Sequence, residues 1–160
     1  MLAEASARVV AVDFSAGMIA KAKAKLSLPN VDFQIADINK EWPFADASFG
    51  FVSCNLVLEH LEDLTHIFHE AVRVMNAGAY FFICELHPYR QYAGTQARFQ
   101  RAQETTMIPS FVHHLSDFMN AGAINGLSLE DMNEWWHEED QGKAPRLVSL
   151  MFKKPDLALG

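Results

Sequence analysis

The stretch Val9–Ile19, which reads VVAVDFSAGMI, decides the fold of this chain. It opens with a short apolar run that ends in the carboxylate of Asp13, a pattern typical of a buried parallel strand. Ser15 is a good helix N-cap, and Met18 and Ile19 begin the apolar stripe of a helix. A strand followed at once by a helix predicts one unit of an alternating α/β domain.

The same alternation continues along the chain. Further strands are predicted over Val31–Asp37, Phe49–Asn55 and Ala79–Leu86. A helix with one apolar face is predicted over Leu61–Met75, and Asn76–Gly78 is predicted to stop it. Strands that alternate with helices favour a parallel sheet flanked by helices.

The second half of the chain is more varied. The polar and aromatic segment 87–115 is predicted to be a loop with a short helix near Gln96–Gln103. A helix is predicted over Ser116–Ala123, capped by Ser116, and two closing strands over Leu127–Trp136 and Leu147–Lys153. Since no linker or repeat interrupts the 160 residues, we expect a single domain over residues 1–160.

Composition excludes several classes of function. The chain has 13 Lys and Arg against 20 Asp and Glu, a net charge of −7, which disfavours nucleic acid and anionic membranes as partners. No apolar run approaches the ~20 residues of a membrane span. Cys54 and Cys84 form no CxxC motif, which argues against a disulfide scaffold or a zinc site. We therefore expect a cytoplasmic protein without a metal.

Polar side chains close four successive predicted strands. They are Asp13, Asp37, Asn55 and Glu85. Ligands of an open parallel sheet bind beyond the carboxyl ends of its strands. A carboxylate there can accept two hydrogen bonds from a ribose diol, or one from an exocyclic amine. One such Asp is more often a helix or loop cap, but the series indicates a nucleoside site.

Several of these stretches together resemble the class I S-adenosylmethionine-dependent methyltransferases, in their small-molecule, type 11-like branch. The resemblance follows the order and spacing of the family's strand motifs. It is carried by Val9–Ile19, Ile35–Ile38, Phe49–Leu61, Val72–Gly78 and Arg146–Pro155. It implies a Rossmann-like, mostly parallel sheet flanked by helices, with an antiparallel last strand. It also implies methyl transfer from S-adenosylmethionine, without a metal, to a small-molecule substrate.

The resemblance also implies roles for individual residues. Asp13 would hold the ribose hydroxyls, Asp37 would receive the adenine amine, and Ile38 would cover the adenine ring. Asn55 and Leu56 would lie along the methionine half of the cofactor. The full set of implied cofactor-binding residues is Asp13, Phe14, Met18, Asp37, Ile38, Asn55 and Leu56.

The sequence departs from the family before Val9. The family's first strand and its glycine-rich GxGxG loop precede the motif that Val9 begins, and neither is present here. The expectation is therefore an amino-terminally truncated domain, with impaired methyl transfer. Exposed strand edges would favour self-association.

The tract Glu85–Phe99, ELHPYRQYAGTQARF, is dense in polar and aromatic side chains. It begins where family members place substrate loops, so segment 87–115 is predicted to be a lid or substrate-loop insertion. A base is needed only if the acceptor loses a proton, and the candidates are His87 first, then Tyr89 and His60. The predicted substrate-binding residues are Glu85, Arg90, Tyr92 and Arg98.

Two alternative functions stay open at this point. An Asp that closes a second strand also suits the ribose of NAD, so an NAD-binding oxidoreductase is one alternative. The other is an incomplete or catalytically dead domain that acts by association. The NAD-binding oxidoreductase does not explain the pair Asp37-Ile38 or the passage NLVLEHL, residues 55–61.

Overall fold

The computed structural model describes residues 2–92, 98–101, 104–107, 110–140 and 142–156, without the side chains of residues 91, 98–101 and 104–107. The described chain divides into two compact units, Met1–Pro43 and Phe44–Gly160. The described part of the first unit contains a two-stranded sheet, and that of the second contains a four-stranded sheet and a separate two-stranded sheet. No helix in the described ranges is long and apolar enough to cross a membrane.

The first unit is a strand–helix–strand unit preceded by a short helix. Strands β1 and β2 are parallel and pair from Val9 opposite Val31 to Asp13 opposite Ile35. The Ser15 hydroxyl accepts a hydrogen bond from the Met18 N–H at 3.3 Å, which confirms Ser15 as the N-cap of α2. The elements are α1 (Leu2–Ala5), β1 (Val9–Asp13), α2 (Ala16–Lys25) and β2 (Val31–Ile35).

The second unit contains a four-stranded sheet in the order β3-β4-β8-β7. Strand β3 is parallel to β4, whereas β8 is antiparallel to both β4 and β7, which confirms the antiparallel last strand. Short 3₁₀ turns cover Leu58–His60 and Glu138–Asp140. The elements are β3 (Phe49–Asn55), α3 (Leu64–Val74), β4 (Met75–Leu86), α4 (Pro88–Tyr92), β5 (Arg98–Arg101), β6 (Glu104–Met107), α5 (Leu115–Ile124), β7 (Ser128–Trp135) and β8 (Leu147–Lys153).

The boundary between α3 and β4 differs from the prediction. Asn76–Gly78 belongs to the strand and does not terminate the helix. The reason is the chain beyond β8. The Lys154 ammonium donates to the carbonyls of Val72 and Met75 at 2.8 and 2.7 Å, and the Gly78 N–H donates to the Lys154 carbonyl at 3.1 Å. These contacts satisfy the helix end and extend β4 backwards.

Two local predictions in the second half are wrong. Residues 98–101 of the helix expected near Gln96–Gln103 form β5, which pairs antiparallel with β6; residues 96–97 and 102–103 lie outside the described residues. Cross-strand backbone hydrogen bonds and the β-branched pair Thr105-Thr106 favour the hairpin. Helix α5 begins at Leu115 rather than after Ser116, because Asp117 reaches back and accepts the N–H of His114 at 2.7 Å.

The core of the second unit lies between the sheet and helices α3 and α5. Phe68 of α3 is fully buried and packs edge-on against Phe81 of β4 and Phe152 of β8, with ring centroids 5.2 and 5.3 Å away. On α5, Gly122 lies against the Phe152 ring, so a Cβ added there would be 2.6 Å from the ring. The core therefore requires the smallest residue at position 122.

We expect Gly122→Ala to lower the free energy of unfolding by about 2 kcal/mol, because overpacking a buried site outweighs the gain in helix propensity. Gly17→Ala is the matched control, since a Cβ there meets nothing closer than the Ser15 hydroxyl at 3.7 Å. Urea denaturation of both variants measures the effect. A Gly122→Ala protein as stable as the wild type would contradict this account of the core.

Candidate functional site

Asp13 lies at the carboxyl end of β1 and is half-buried. Its Oδ1 accepts the Ser15 N–H at 2.7 Å, and its backbone carbonyl accepts the Ala36 N–H at 3.2 Å. Within the described ranges, no other hydrogen bond to this carboxylate is formed. Asp13 is therefore a local cap that keeps acceptor capacity for a ligand, as a ribose diol would require.

Asp37 follows the end of β2 and is also only partly buried. Its Oδ1 accepts from the backbone N–H and side-chain amide of Asn39 at 3.1 and 3.3 Å, and its Oδ2 lies 3.6 Å from the Lys40 ammonium. The hydrogen bond from the Asn39 backbone lowers the pKa of Asp37. The carboxylate is therefore ionised at neutral pH and can accept from an exocyclic amine.

Apolar side chains accompany these two carboxylates. Phe14 is 77% exposed and Met18 is 51% exposed, so both present apolar surface to the solvent. Ile38 is half-buried, and its carbonyl accepts the Trp42 indole N–H at 3.1 Å. The first unit thus contains all five residues predicted for the adenosine half of the cofactor, with acceptors and apolar surface in one strand–helix–strand unit.

The turn after β3 carries the remaining two predicted cofactor residues. The side chains of Asn55 and Leu56 are both exposed. Leu56 has φ +52°, a left-handed conformation that costs a residue with a Cβ some strain and often marks a functional turn. The Leu56 N–H donates to the Cys84 carbonyl at 2.9 Å, which ties the turn to β4.

Glu85, at the end of β4, is 2% exposed. Its Oε1 accepts the backbone N–H groups of Val57 and Leu58 at 3.1 and 3.2 Å. Its Oε2 is buried and has no hydrogen-bond partner among the described groups. Burial raises the pKa of Glu85 to about 7, and the nearby Glu59 carboxylate adds to this effect.

His87 lies two residues beyond Glu85 and is also buried. Its Nδ1 accepts the Tyr89 N–H at 3.1 Å, so the neutral ring carries its proton on Nε2. That Nε2 lies 3.0 Å from Oε1 of Glu134. The oxygen is off the N–H direction, and Nε2 makes no hydrogen bond to a described group. Both ring nitrogens of this predicted base therefore face protein groups.

Sequence reasoning missed Glu134. Glu85 on β4 and Glu134 on β7 both pair with Val148 of β8, so the two carboxylates lie on one face of the sheet. The signal exists only in the strand register, because the two residues are 49 positions apart in the sequence.

The other predicted catalytic and aromatic residues differ in exposure. The His60 side chain is 27% exposed, and its Nε2 lies 3.8 Å from Oε1 of Glu59. Tyr89 and Tyr92 are each 57% exposed. The Tyr92 hydroxyl is hydrogen-bonded to Nδ1 of His114 at 2.5 Å. His60 and Tyr89 are therefore more open than His87.

Arg90 of α4 is occupied by contacts within the protein. Its guanidinium donates to the carbonyls of Ala144 and Pro145 at 3.1 and 3.3 Å and to Asp140 at 3.3 Å. Asp140 is 4% exposed, and the hydrogen bond from Arg146 lowers its pKa to about 2. Arg90 thus fastens α4 to the segment between β7 and β8. The predicted substrate residue Arg98 lies in β5, but its side chain is outside the described residues.

The cysteines do not form a reactive or metal-binding site in the described part of the chain. Burial raises the pKa of the Cys54 thiol to about 12, so it stays protonated and unreactive at neutral pH. Among the described residues, no three His, Cys, Asp or Glu side chains are grouped to hold a metal ion.

The chain is similar to methyltransferases in sequence and in structure. A family model described as methyltransferase domain matches residues 1–83. Over 72 residues the chain is 35% identical to a ubiquinone/menaquinone biosynthesis C-methyltransferase from Desulfotalea psychrophila, a match that covers 45% of this chain and 29% of that protein. The chain thus spans under a third of this curated relative.

Two solved structures share the fold at low sequence identity. An S-adenosylmethionine-dependent methyltransferase from Mesorhizobium loti matches with a TM-score of 0.76 and 17% identity, covering 93% of this chain and 81% of that one. One from Methanosarcina mazei also has a TM-score of 0.76 and 17% identity, covering 97% and 85%. These matches confirm the Rossmann-like α/β fold. They give no support to the predicted alternative of an NAD-binding oxidoreductase.

Titration of Glu85 should make stability depend on pH. Because its folded-state pKa of about 7 exceeds the unfolded value, the folded state binds the proton more tightly, and stability is lost as pH rises between about 4.5 and 7. Glu85→Gln does not titrate. From pH 4 to pH 8 the free energy of unfolding of this variant should therefore gain about 3 kcal/mol relative to wild type. Urea titrations at both pH values test this, and parallel pH profiles would contradict it.

Proposed function

The chain belongs to the methyltransferase domain family, and on that premise we propose that it binds S-adenosylmethionine and transfers the methyl group to a small-molecule acceptor. The observation that carries the proposal is the pair of carboxylates at the carboxyl ends of two adjacent parallel strands, one at the last residue of β1 and one just after β2, each with an apolar neighbour in the chain. These residues are Asp13 with Phe14, and Asp37 with Ile38.

Asp13 is proposed to hold the ribose. One of its oxygens is fixed by the Ser15 N–H, which orients the carboxylate without using all its acceptor sites. A carboxylate has about four such sites, so two hydroxyl groups can still donate to it. Phe14 and Met18, both largely exposed, are proposed to pack against the adenosine.

Asp37 and Ile38 are proposed to recognise the adenine. The lowered pKa of Asp37 keeps its carboxylate an acceptor, which is what the exocyclic amine of adenine needs. Ile38 supplies a half-buried apolar side chain that can cover one face of the ring. Asn55 and Leu56 are proposed to contact the methionine half of the cofactor.

S-adenosylmethionine supplies an electrophilic methyl group on a sulfonium, and the protein has to hold the acceptor in line with it. Where the acceptor loses a proton, a base is required. We assign that role to His60 ahead of Tyr89, because His87 has both ring nitrogens turned toward protein groups. His60 also lies close in the chain to Leu56, because it ends the 3₁₀ turn Leu58–His60.

The acceptor is proposed to bind near segment 87–115. Tyr89 and Tyr92 expose large aromatic side chains there, and such rings can stack on or hydrogen-bond a small molecule. Arg90 is proposed to contribute by fastening α4, since its guanidinium already contacts Asp140, Ala144 and Pro145.

The cofactor assignment predicts the effect of removing Asp13. Asp13→Ala should weaken S-adenosylhomocysteine binding by about 1.5–3 kcal/mol, the range for hydrogen bonds to a charged group. Asp37→Asn should cost less, because an amide oxygen still accepts from the adenine amine. Isothermal titration calorimetry measures both.

Asp32→Ala is the matched control for this experiment. Asp32 is on β2 but near its start, opposite Val10 of β1, and it contacts Arg8 and Gln34. Its loss should leave the affinity unchanged. Unchanged affinity in Asp13→Ala, or tight binding of NADH by the wild type, would refute the assignment.

A further inference from the structure

We propose that Glu85 is a positioning residue, whose buried carboxylate holds the turn Asn55–His60 in the shape that presents Leu56 and His60 to the cofactor and acceptor. The proposal rests on the function proposed above. It differs from the predicted substrate contact because a side chain that is 2% exposed cannot reach a ligand without a rearrangement of the end of β4.

One carboxylate oxygen fixes two consecutive peptide groups of the turn. Oε1 of Glu85 accepts the N–H of Val57 at 3.1 Å and the N–H of Leu58 at 3.2 Å. Oε1 can accept both hydrogen bonds whether or not the carboxyl group is protonated, because the proton of the neutral acid can reside on Oε2. Because Leu58 is fully buried, its N–H has no access to water as a substitute partner.

The residue just before these two peptide groups is the strained one. Leu56 has φ +52°, and such a conformation persists only where the surroundings hold it. Its N–H donates to the Cys84 carbonyl at 2.9 Å. The end of β4 therefore holds the turn at two places. The Cys84 carbonyl binds the N–H of Leu56, and the Glu85 carboxylate binds the two N–H groups that follow it.

The far end of the turn is held independently. The Phe111 N–H donates to the Glu59 carbonyl at 2.7 Å, and Nε2 of His113 is hydrogen-bonded to the Leu61 carbonyl at 2.7 Å. Neither contact involves Glu85. The Glu59 backbone N–H also donates to the Glu85 carboxylate. Loss of the carboxylate should therefore release the peptide groups of residues 57–59, while these two contacts keep the segment from His60 onward in place.

Two substitutions of similar size separate the acceptor from the packing. Glu85→Met fills the same volume but removes the acceptor, so the Val57 and Leu58 N–H groups lose their partner. Glu85→Gln keeps an oxygen at the same position. We expect Glu85→Met to weaken S-adenosylhomocysteine binding at least tenfold and Glu85→Gln to stay within threefold of wild type.

Hydrogen exchange at the amides of Val57 and Leu58, followed without ligand, provides a second measurement. It should accelerate at least tenfold in Glu85→Met and change little in Glu85→Gln. Glu134→Gln is the matched control for exchange, because this carboxylate lies on the same face of the sheet but contacts His87. Its amide exchange in the turn should match wild type.

The outcomes are distinct. Wild type that fails to bind S-adenosylhomocysteine would overturn the proposed function, and the exchange rates would still decide whether Glu85 holds the turn. Binding by wild type and Glu85→Met with equal affinity, or unchanged exchange, would overturn the positioning role. If Glu85→Met does not fold, Glu85→Asp, which withdraws the carboxylate by one methylene, must show the same losses.

Discussion

The contact of Phe68 with Phe81 and Phe152 is the interaction on which the second unit depends. These three rings join α3 to β4 and β8 in edge-on pairs 5.2 and 5.3 Å apart. Such pairs add geometric preference to the burial of apolar area. Because β4 is held from one face by α3 and at both edges by β3 and β8, the position of its carboxyl end is determined by the core.

The end of β4 in turn organises the polar groups of the candidate site. Cys84 and Glu85 reach sideways to the turn after β3, whereas His87 reaches toward Glu134 on β7. A buried carboxylate is costly unless hydrogen bonds compensate for its lost hydration. Glu85 receives two such bonds from the residues that follow the strained Leu56, and these bonds hold the turn. The same burial explains why the pKa of Glu85 is raised, while that of the well-bonded Asp140 is lowered.

Asp13 and Asp37 are both structural and available to a ligand. Asp13 accepts the N–H of Ser15, the residue that caps α2, and Asp37 accepts from Asn39. Neither role exhausts the acceptor sites of a carboxylate. A ligand acceptor that already makes a local hydrogen bond is held in one orientation before the ligand arrives, which lowers the entropic cost of binding.

The sequence alone determined the strand–helix alternation, the bounds of β1, β3 and β8, and the series of polar residues that close the strands. These features are local, because apolar periodicity and caps act within a few residues. Tertiary structure decided the β5–β6 hairpin, the backward extension of β4 to Met75, and the partners of Arg90, His87 and Glu85. Each of these depends on contacts between residues far apart in the chain, such as Lys154 with Val72, Asp140 with Arg90, and the shared register of Glu85 and Glu134 opposite Val148. Strand pairing creates such neighbours, and no local pattern encodes which strands pair.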